Sequence, residues 1–304
     1  MNTPFSVKEL MDLDSLQIFK AVVEQGGVNK AAARLHRVPS NVTTRVKQLE
    51  DQLGTKLFAR DGRRLTLSAE GAVLLRYADQ LLRLSSEAQA ALSRGMPRGP
   101  LKIGSLESTA AARLPAIVAK YHALYPDVEL ELVTGTSGAL VSRVHALEIE
   151  AAFVAEPFNA TGLDTQRAFS EEIVLITPKT QRNVRRPKDV VNVTVIAFAN
   201  GCSYRRRLES WLAAAKMHAD RIIEFQSYHA IVACVAAGTG IAVIPRSVLD
   251  LSTAKEQLNV VRLPQAIAQA KTRLVWRPSH HSSALDALKA LVANEPRGTK
   301  APRT

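Results

Sequence analysis

The run VNKAAARLHRVPSNVTTRVKQLEDQLGTKLF, residues 28–58, decides how the N-terminal part of the chain folds. Asn29 to Leu35 is Ala-rich and reads as a short helix, His36 to Pro39 as a break, and Ser40 to Leu53 as a second helix. In the second helix Val42, Val46, Leu49 and Leu53 recur at steps of four, three and four, one apolar face at the helical period. Ser40 is expected to cap that helix and Gly54 to end it. Ser40, Thr44 and Lys47 point away from the apolar face, with Asn41 and Thr43 on its flanks. Helix, tight turn and helix with a small polar outer face is the build of a helix-turn-helix, whose second helix enters the DNA major groove by its N-terminal end. A plain helical hairpin in a globular core has the same periodicity, so the flanking segments decide between the two.

Upstream, residues 1–10 read as a loose leader, and Met11 opens a more helical run that makes it a candidate translation start. In MDLDSLQIFKAVVEQGG, Leu16, Phe19, Val22 and Val23 form a buried face, and Gly26 and Gly27 close the helix. Downstream, LFARDGRRLTLS places two extended pieces around Asp61-Gly62, a strong hairpin signal. Arg60, Arg63 and Arg64 on that hairpin make it a basic wing suited to phosphates beside the groove. A DNA-binding domain over residues 11–68 is the expectation. Ser68 and Glu70 then open a helix expected over residues 69–94. Leu74, Ala78, Leu81, Ser85, Ala88 and Leu92 follow alternating steps of four and three there, a heptad seam that Leu75 and Leu82 widen. Leu74, Ala78, Leu81, Ala88 and Leu92 are the dimerisation candidates, since modules of this kind usually bind two half-sites. Gly95, Pro97, Gly99 and Pro100 break the pattern as a hinge.

From Leu101 the texture changes to strands alternating with helices. LKIGS, VELELVTG, AAFVA, EEIVLITP, VTVIAFA, RIIEFQS, GIAVIP and TRLVWRP read as strands. Helices are expected over 114–124, 137–147, 204–215, 228–237 and 284–293. This alternation predicts an α/β fold with a mainly parallel sheet. Residues 294–304 read as a disordered polar tail. Over the 304 residues the composition is an ordinary globular one, 46% hydrophobic and 22% charged. No apolar run approaches the roughly 20 residues of a membrane span, and no signal segment opens the chain, so a soluble cytoplasmic protein is expected. The net charge of +12 favours an anionic partner, nucleic acid first. No phosphate loop, nucleophile elbow or metal spacing is present, and His280-His281 stands apart, so neither an enzyme nor a cofactor is expected.

The succession AAARLHRVPSNVTTRVKQLEDQLGTKLFAR, LTLSAEG and a long helix resembles the LysR-type transcriptional regulators, and the resemblance runs over nearly the whole chain. HRVPSNVTTR, IGSLESTAA and NGCSYRRRLESW are similar to regulators of putrescine utilisation within that family. Most members carry Ser-Gln where this chain has Val38-Pro39. The base-reading glutamine is therefore missing, and Pro39 suits the first helical turn instead. Base reading is expected to pass to Ser40, Asn41, Thr43 and Thr44, with Lys30, Pro39, Arg45 and Lys47 completing the DNA face. The resemblance also implies two effector lobes, residues about 99–167 with 269–293 and about 168–268, within an effector domain over 99–293. It implies a cleft between the lobes for a small molecule, self-association to a dimer and a tetramer, promoter DNA, and RNA polymerase as a further partner. A solute-binding protein whose N-terminal helices only dimerise it is the reading of another class.

Three turns are expected to line the cleft: Ser105, Glu107 and Ser108; Thr134, Thr136 and Ser137; and Cys202, Ser203, Tyr204 and Arg205, with Ser227 nearby. Each is also an ordinary strand-to-helix turn, where Ser and Thr serve as caps. Arg205, Arg206 and Arg207 favour an acid, whereas Glu107 and Glu156 favour an amine, and a polyamine-derived amino acid satisfies both. Cys202 beside Arg205 raises a redox alternative, since a lowered thiol pKa would make it reactive as in the family's peroxide sensors. Cys234, on the apolar IVACVAAG helix, reads as core.

Overall fold

The computed structural model describes residues 11–61, 64–92, 96–191, 193–278, 280 and 282–294. The leader, Arg63, Gly95, His281 and the tail beyond residue 294 lie outside the described residues. The chain divides into two compact units, the first ending at residue 93.

The first unit contains α1 (Leu13–Gln25), α2 (Val28–Arg34), α3 (Pro39–Leu53), β1 (Phe58–Asp61), β2 (Arg64–Leu67) and α4 (Ala69–Leu92). Asp12 caps α1 by accepting from the Ser15 N–H at 2.8 Å, and Gly26 ends it at φ +67°, a left-handed conformation that glycine adopts freely. β1 and β2 pair antiparallel with Asp61 opposite Arg64, the hairpin foreseen from Asp61-Gly62. Ser68 caps α4, its Oγ accepting from the Gly71 N–H at 2.8 Å. Leu16, Phe19, Leu49, Leu57, Leu74 and Ala78 form one core and Ile18, Val22, Ala31, Ala32 and Val42 another.

Three expectations fail here. Ser40 does not cap α3: the helix starts one residue earlier, with Val38 at the cap and Pro39 inside the first turn, where a missing N–H costs little. Leu53 is exposed, and the buried residue on that last turn is Glu50. The heptad seam is also split. Leu74 and Ala78 pack against α1 and α3 in their own unit, while Val73, Tyr77, Leu81, Leu84 and Ala88 form an exposed stripe on the neighbouring face. The side chain of Leu92 lies outside the described residues.

The second unit runs β3 (Gly99–Ser105), α5 (Glu107–Ala112), α6 (Leu114–Leu124), β4 (Val128–Thr134), α7 (Ser137–His145), β5 (Ala151–Ala155), β6 (Asp164–Pro178), β7 (Thr194–Ala197), α8 (Ser203–Ala213), β8 (Arg221–Glu224), α9 (Tyr228–Ala236), β9 (Ala242–Pro245), α10 (Arg246–Leu249), β10 (Leu258–Arg262), α11 (Gln265–Ala268), β11 (Gln269–Trp276) and α12 (Ser283–Ala293). Seven strands join in the order β10-β6-β11-β5-β3-β4, with β9 also on β6; β7 and β8 form a separate parallel pair. The sheet is mixed rather than mainly parallel. β3 pairs in parallel with β4 and β5, whereas β6, β9, β10 and β11 pair antiparallel. The cause is the 15-residue β6, whose first half pairs with β11 and whose second half pairs with β9 and β10. One core gathers α6, α12 and the β3–β5 side of the sheet, and another gathers α8, α9, β7, β9 and the far half of β6.

Candidate functional site

On α3 the side chains of Ser40, Asn41, Thr44, Lys47 and Gln48 are exposed on the face opposite Val42 and Leu49. Val38, Ser40, Asn41, Thr44, Arg45 and Gln48 line a shallow concavity of about 510 Å³ there. Asn41 offers an amide able to pair with an adenine edge, and Thr44 a methyl and a hydroxyl. The Thr43 hydroxyl is already used, donating to the Pro39 carbonyl at 3.0 Å, so only its methyl is available for a base. Arg45 lies 3.9 Å from Asp12 and 3.8 Å from Asp14, which offset its charge in part, while Arg37 forks onto Asp14 at 3.1 and 2.7 Å. Lys30 is exposed on α2. Arg60 and Arg64 fall on β1 and β2; their side chains lie outside the described residues. Gln48, one turn beyond Thr44, was missed because the sequence offers no reason to separate it from a solvated face.

Glu50 ties the end of α3 to the start of the wing. Its Oε1 accepts from the N–H of Leu57 at 2.9 Å and of Phe58 at 3.3 Å, and its Oε2 from Lys56 at 2.8 Å. Burial works to raise the pKa of this carboxyl, but those three donors together hold it below its usual value.

In the second unit, the turns after β3, before α8 and before α9 meet. The Glu107 Oε1 accepts from the Tyr228 N–H at 3.4 Å, and the Ser108 hydroxyl sits beside the phenols of both Tyr204 and Tyr228. Ser108, Ser203 and Tyr204 are 3%, 1% and 2% exposed. Yet the hydroxyls of these three, and the second carboxylate oxygen of Glu107, have no hydrogen-bond partner of adequate geometry. Buried polar groups are nearly always satisfied, because each one left alone costs on the order of 1–3 kcal/mol. Four groups with unmet hydrogen-bonding capacity thus lie on two neighbouring turns. Burial pushes Glu107 above the usual carboxylate range and both phenols well above theirs. Thr136, which caps α7 by accepting from Ala139, faces the Gly201 backbone, so this turn reaches the same region.

The remaining expected residues are engaged elsewhere. Ser137 both donates to and accepts from the backbone of Ala155 at 3.1 Å, and Ser105 donates to the Leu106 carbonyl. Thr134 is exposed at the end of edge strand β4, and Ser227 precedes α9 without capping it. Arg205 is turned away, onto Glu209 at 2.8 Å and Glu224 at 2.5 Å. Arg206 donates to the Pro157 carbonyl, and Arg207 to those of Ile267 and Glu156. Glu156 itself is paired with Arg273. Of the three arginines only Arg205 is held by carboxylates; Arg206 and Arg207 donate to carbonyls, and the Arg207 Nε, like the second Glu107 oxygen, has no partner. Tyr228 was missed because QSYHAIVAC reads simply as the start of a core helix.

Cys202 is buried at the cap of α8, and burial raises its pKa above the ordinary thiol value against the opposing pull of Arg205 and Arg206. The lowered pKa expected of a reactive thiol is absent. His280 does not stand apart but meets Glu150 at 2.8 Å, both 2% exposed. A second concavity of about 490 Å³ is lined by Ser170, Glu171, Glu172, Arg262, Leu263 and Gln265 among others, none of them in the unsatisfied cluster. Its carboxylates are engaged by Arg113, Ser247 and Arg246, so volume alone does not make it the better site. No described helix is long and apolar enough to cross a membrane.

Residues 13–72 match the bacterial regulatory helix-turn-helix protein family of LysR type, and residues 94–297 match the LysR substrate binding domain. The chain is 39% identical over 277 residues to the uncharacterized HTH-type transcriptional regulator YusT of Bacillus subtilis, covering 90% of this chain and 93% of that protein. It is 38% identical over 240 residues to the HTH-type transcriptional regulator GltR of the same organism, covering 79% and 81%. Among solved structures, full-length OxyR from Pseudomonas aeruginosa superposes with a TM-score of 0.69 at 20% identity, covering 94% of this chain and 95% of that one. The full-length LysR-family regulator CbnR complexed with its target DNA superposes at 0.68 and 21% identity, covering 93% and 99%. At that identity the two structures speak for the fold.

Proposed function

The chain belongs to the LysR family of DNA-binding transcriptional regulators with an effector-binding domain, and from that premise we propose that its DNA binding is gated by an amine-bearing, polyamine-related metabolite held by Glu107. The observation that carries this reading is the unsatisfied Glu107 oxygen together with the unsatisfied buried hydroxyls of Ser108, Ser203 and Tyr204. An ammonium group supplies donors to the carboxylate, and a second polar end can engage the hydroxyls of Ser108, Ser203 and Tyr204. Arg205 is paired with Glu209 and Glu224, whereas Arg206 and Arg207 meet only backbone carbonyls and the Arg207 Nε has no partner, so a polyamine-derived amino acid fits as well as a diamine. Redox gating through Cys202 is the weaker reading, because burial keeps that thiol protonated. The protein acts where the chromosome lies, in the cytoplasm, with promoter DNA and RNA polymerase as its macromolecular partners.

On α3, Asn41 and Thr44 are the base readers in this proposal. Asn41→Ala and Thr44→Ala should each cost about 1–3 kcal/mol of preference for the operator while leaving affinity for random duplex nearly unchanged. Competition binding with the two duplexes measures it; equal losses on both would mean that the helix docks by another face.

The dimer is proposed to form on the exposed stripe of α4. Tyr77 and Leu84 are 57% and 61% exposed there, too much apolar surface for a helix to leave in water. Leu84→Glu, at the most exposed large apolar residue of the stripe, should shift the protein to monomer on size exclusion and weaken operator binding at least tenfold through lost avidity. A dimer that persists at the same concentration would move the interface off this face.

A further inference from the structure

Between β6 and β7 the chain reads KTQRNVRRPK, residues 179–188: five cations and no acid. They account for a large part of the net charge of +12. Lys179, Arg182, Arg185, Arg186 and Lys188 are all exposed. Arg186 pairs with Asp189 at 3.1 Å; the side chains of the other four have no ion pair among the described residues. The nearest acid in sequence, Asp189, is occupied with the loop itself, its Oδ2 accepting from the N–H of both Arg185 and Arg186 at 3.0 Å. Glu256, on the turn before β10, and Asp220, which accepts from the Val193 N–H, are exposed carboxylates beyond the loop itself.

The loop is held in one shape. Val184 and Val190 are buried beneath it, and Asn259 on β10 donates to the carbonyls of Pro178 at 2.7 Å and Gln181 at 2.8 Å. Gln181 donates in turn to the Val191 carbonyl at 2.9 Å. A pinned loop loses little freedom when its cations are engaged, which favours binding. Its composition also narrows the partner. A protein interface needs an apolar centre, and beside these cations only Val191 is an exposed large apolar residue. Arginine-rich, apolar-poor surface matches phosphate, which takes guanidinium groups in forked pairs.

We propose that residues 179–188 form a second nucleic-acid contact surface, on the effector-binding unit, that takes the phosphate backbone of duplex DNA. Such a surface reads no bases. It adds affinity for any sequence, and it acts on DNA that α3 has already brought near, where the effective concentration is high.

The test is the salt dependence of binding by the full-length protein to a long fluorescent duplex of random sequence. Each phosphate contact contributes about 0.9 to the slope of log affinity against log salt. Arg182→Gln, Arg185→Gln and Lys188→Gln together should lower that slope by about 2.7, equivalent to about a 40-fold smaller loss of affinity between roughly 50 and 200 mM salt. Arg185→Gln alone should give about a third of the change, which guards against a triple variant that folds poorly. A control removing the same charge from elsewhere on the unit, Lys120→Gln, Lys216→Gln and Arg221→Gln, should change the slope far less. An unchanged slope in the triple variant overturns the proposal, including when transcription activation is lost with DNA binding intact, which would assign the loop to an acidic protein surface. A control slope that falls as much as that of the triple variant overturns it too, since net charge and not this loop would then be at work.

Discussion

Glu107→Gln should weaken the response to an amine effector by roughly 10- to 100-fold, the largest effect expected of any single substitution in the second unit. The substitution keeps the shape of the side chain and the oxygen that accepts from the Tyr228 N–H, so the turn after β3 keeps its anchor. What it removes is the charge that an ammonium would meet in a half-buried place. A hydrogen bond to a charged group contributes about 1.5–3 kcal/mol, which is that range in affinity. The same carboxyl gives a pH signature. Its pKa is raised by burial when the cleft has no cation, and an ammonium bound beside it would lower that pKa. Binding is therefore strongest above the raised pKa and is lost as pH falls through it, sooner than an exposed glutamate would lose it. Calorimetric titration across that range tests this, with Cys202→Ser as the companion variant that should bind normally. Equal ligand affinity in Glu107→Gln and the parent protein would remove Glu107 from the site.

Gly71→Ala should disrupt the first unit. Gly71 lies in the first turn of α4 where the helix crosses the base of the wing, and a Cβ there would stand 2.2 Å from the Leu57 carbonyl oxygen and 2.7 Å from Leu67 Cδ1. The Leu57 carbonyl cannot swing aside cheaply, since it accepts from the Ser68 N–H at 3.0 Å. Overpacking of this kind costs about 3 kcal/mol or more, and the gain of about 1 kcal/mol in helix propensity offsets only part of it. Melting followed by circular dichroism should show the first unit's transition lowered and DNA binding weakened in proportion. Gly138→Ala, where the added methyl meets nothing within 4 Å, should leave melting unchanged or slightly raised. A Gly71→Ala protein as stable as the parent would mean that α4 and the wing are not in contact as described.

The parts of the fold most legible in the sequence are those whose signals are local. Val42 and Leu49 on one face of α3, the β1–β2 pairing and the Gly26 stop each depend on residues a few positions apart, and each is found where periodicity and turn chemistry put it. Less legible was whatever long-range partners decide. Nothing near Glu50 says that its carboxylate will hold the Leu57 and Phe58 amides, nor does LysR-like spacing say that Leu74 and Ala78 face inward while Tyr77 and Leu84 face outward. The mixed sheet was hidden for the same reason, because a strand run does not state its neighbour's direction. Around the turns before α5, α7 and α8 the sequence could not sort which side chains would be engaged. Ser137, Arg205 and Glu156 are spent on nearby backbone or ions, whereas Ser108, Ser203 and Glu107, of the same residue types, keep unsatisfied atoms. That distinction is geometric.

The most direct test of an amine-gated regulator is thermal melting of the parent protein with putrescine and with succinate, a dicarboxylate of matching chain length, each over a range of concentrations. A ligand that binds only the folded state at about a hundred times its Kd adds about 2.7 kcal/mol of stability. The account predicts that putrescine raises the melting temperature of the effector-binding unit and succinate does not. A shift with succinate and none with putrescine would contradict it.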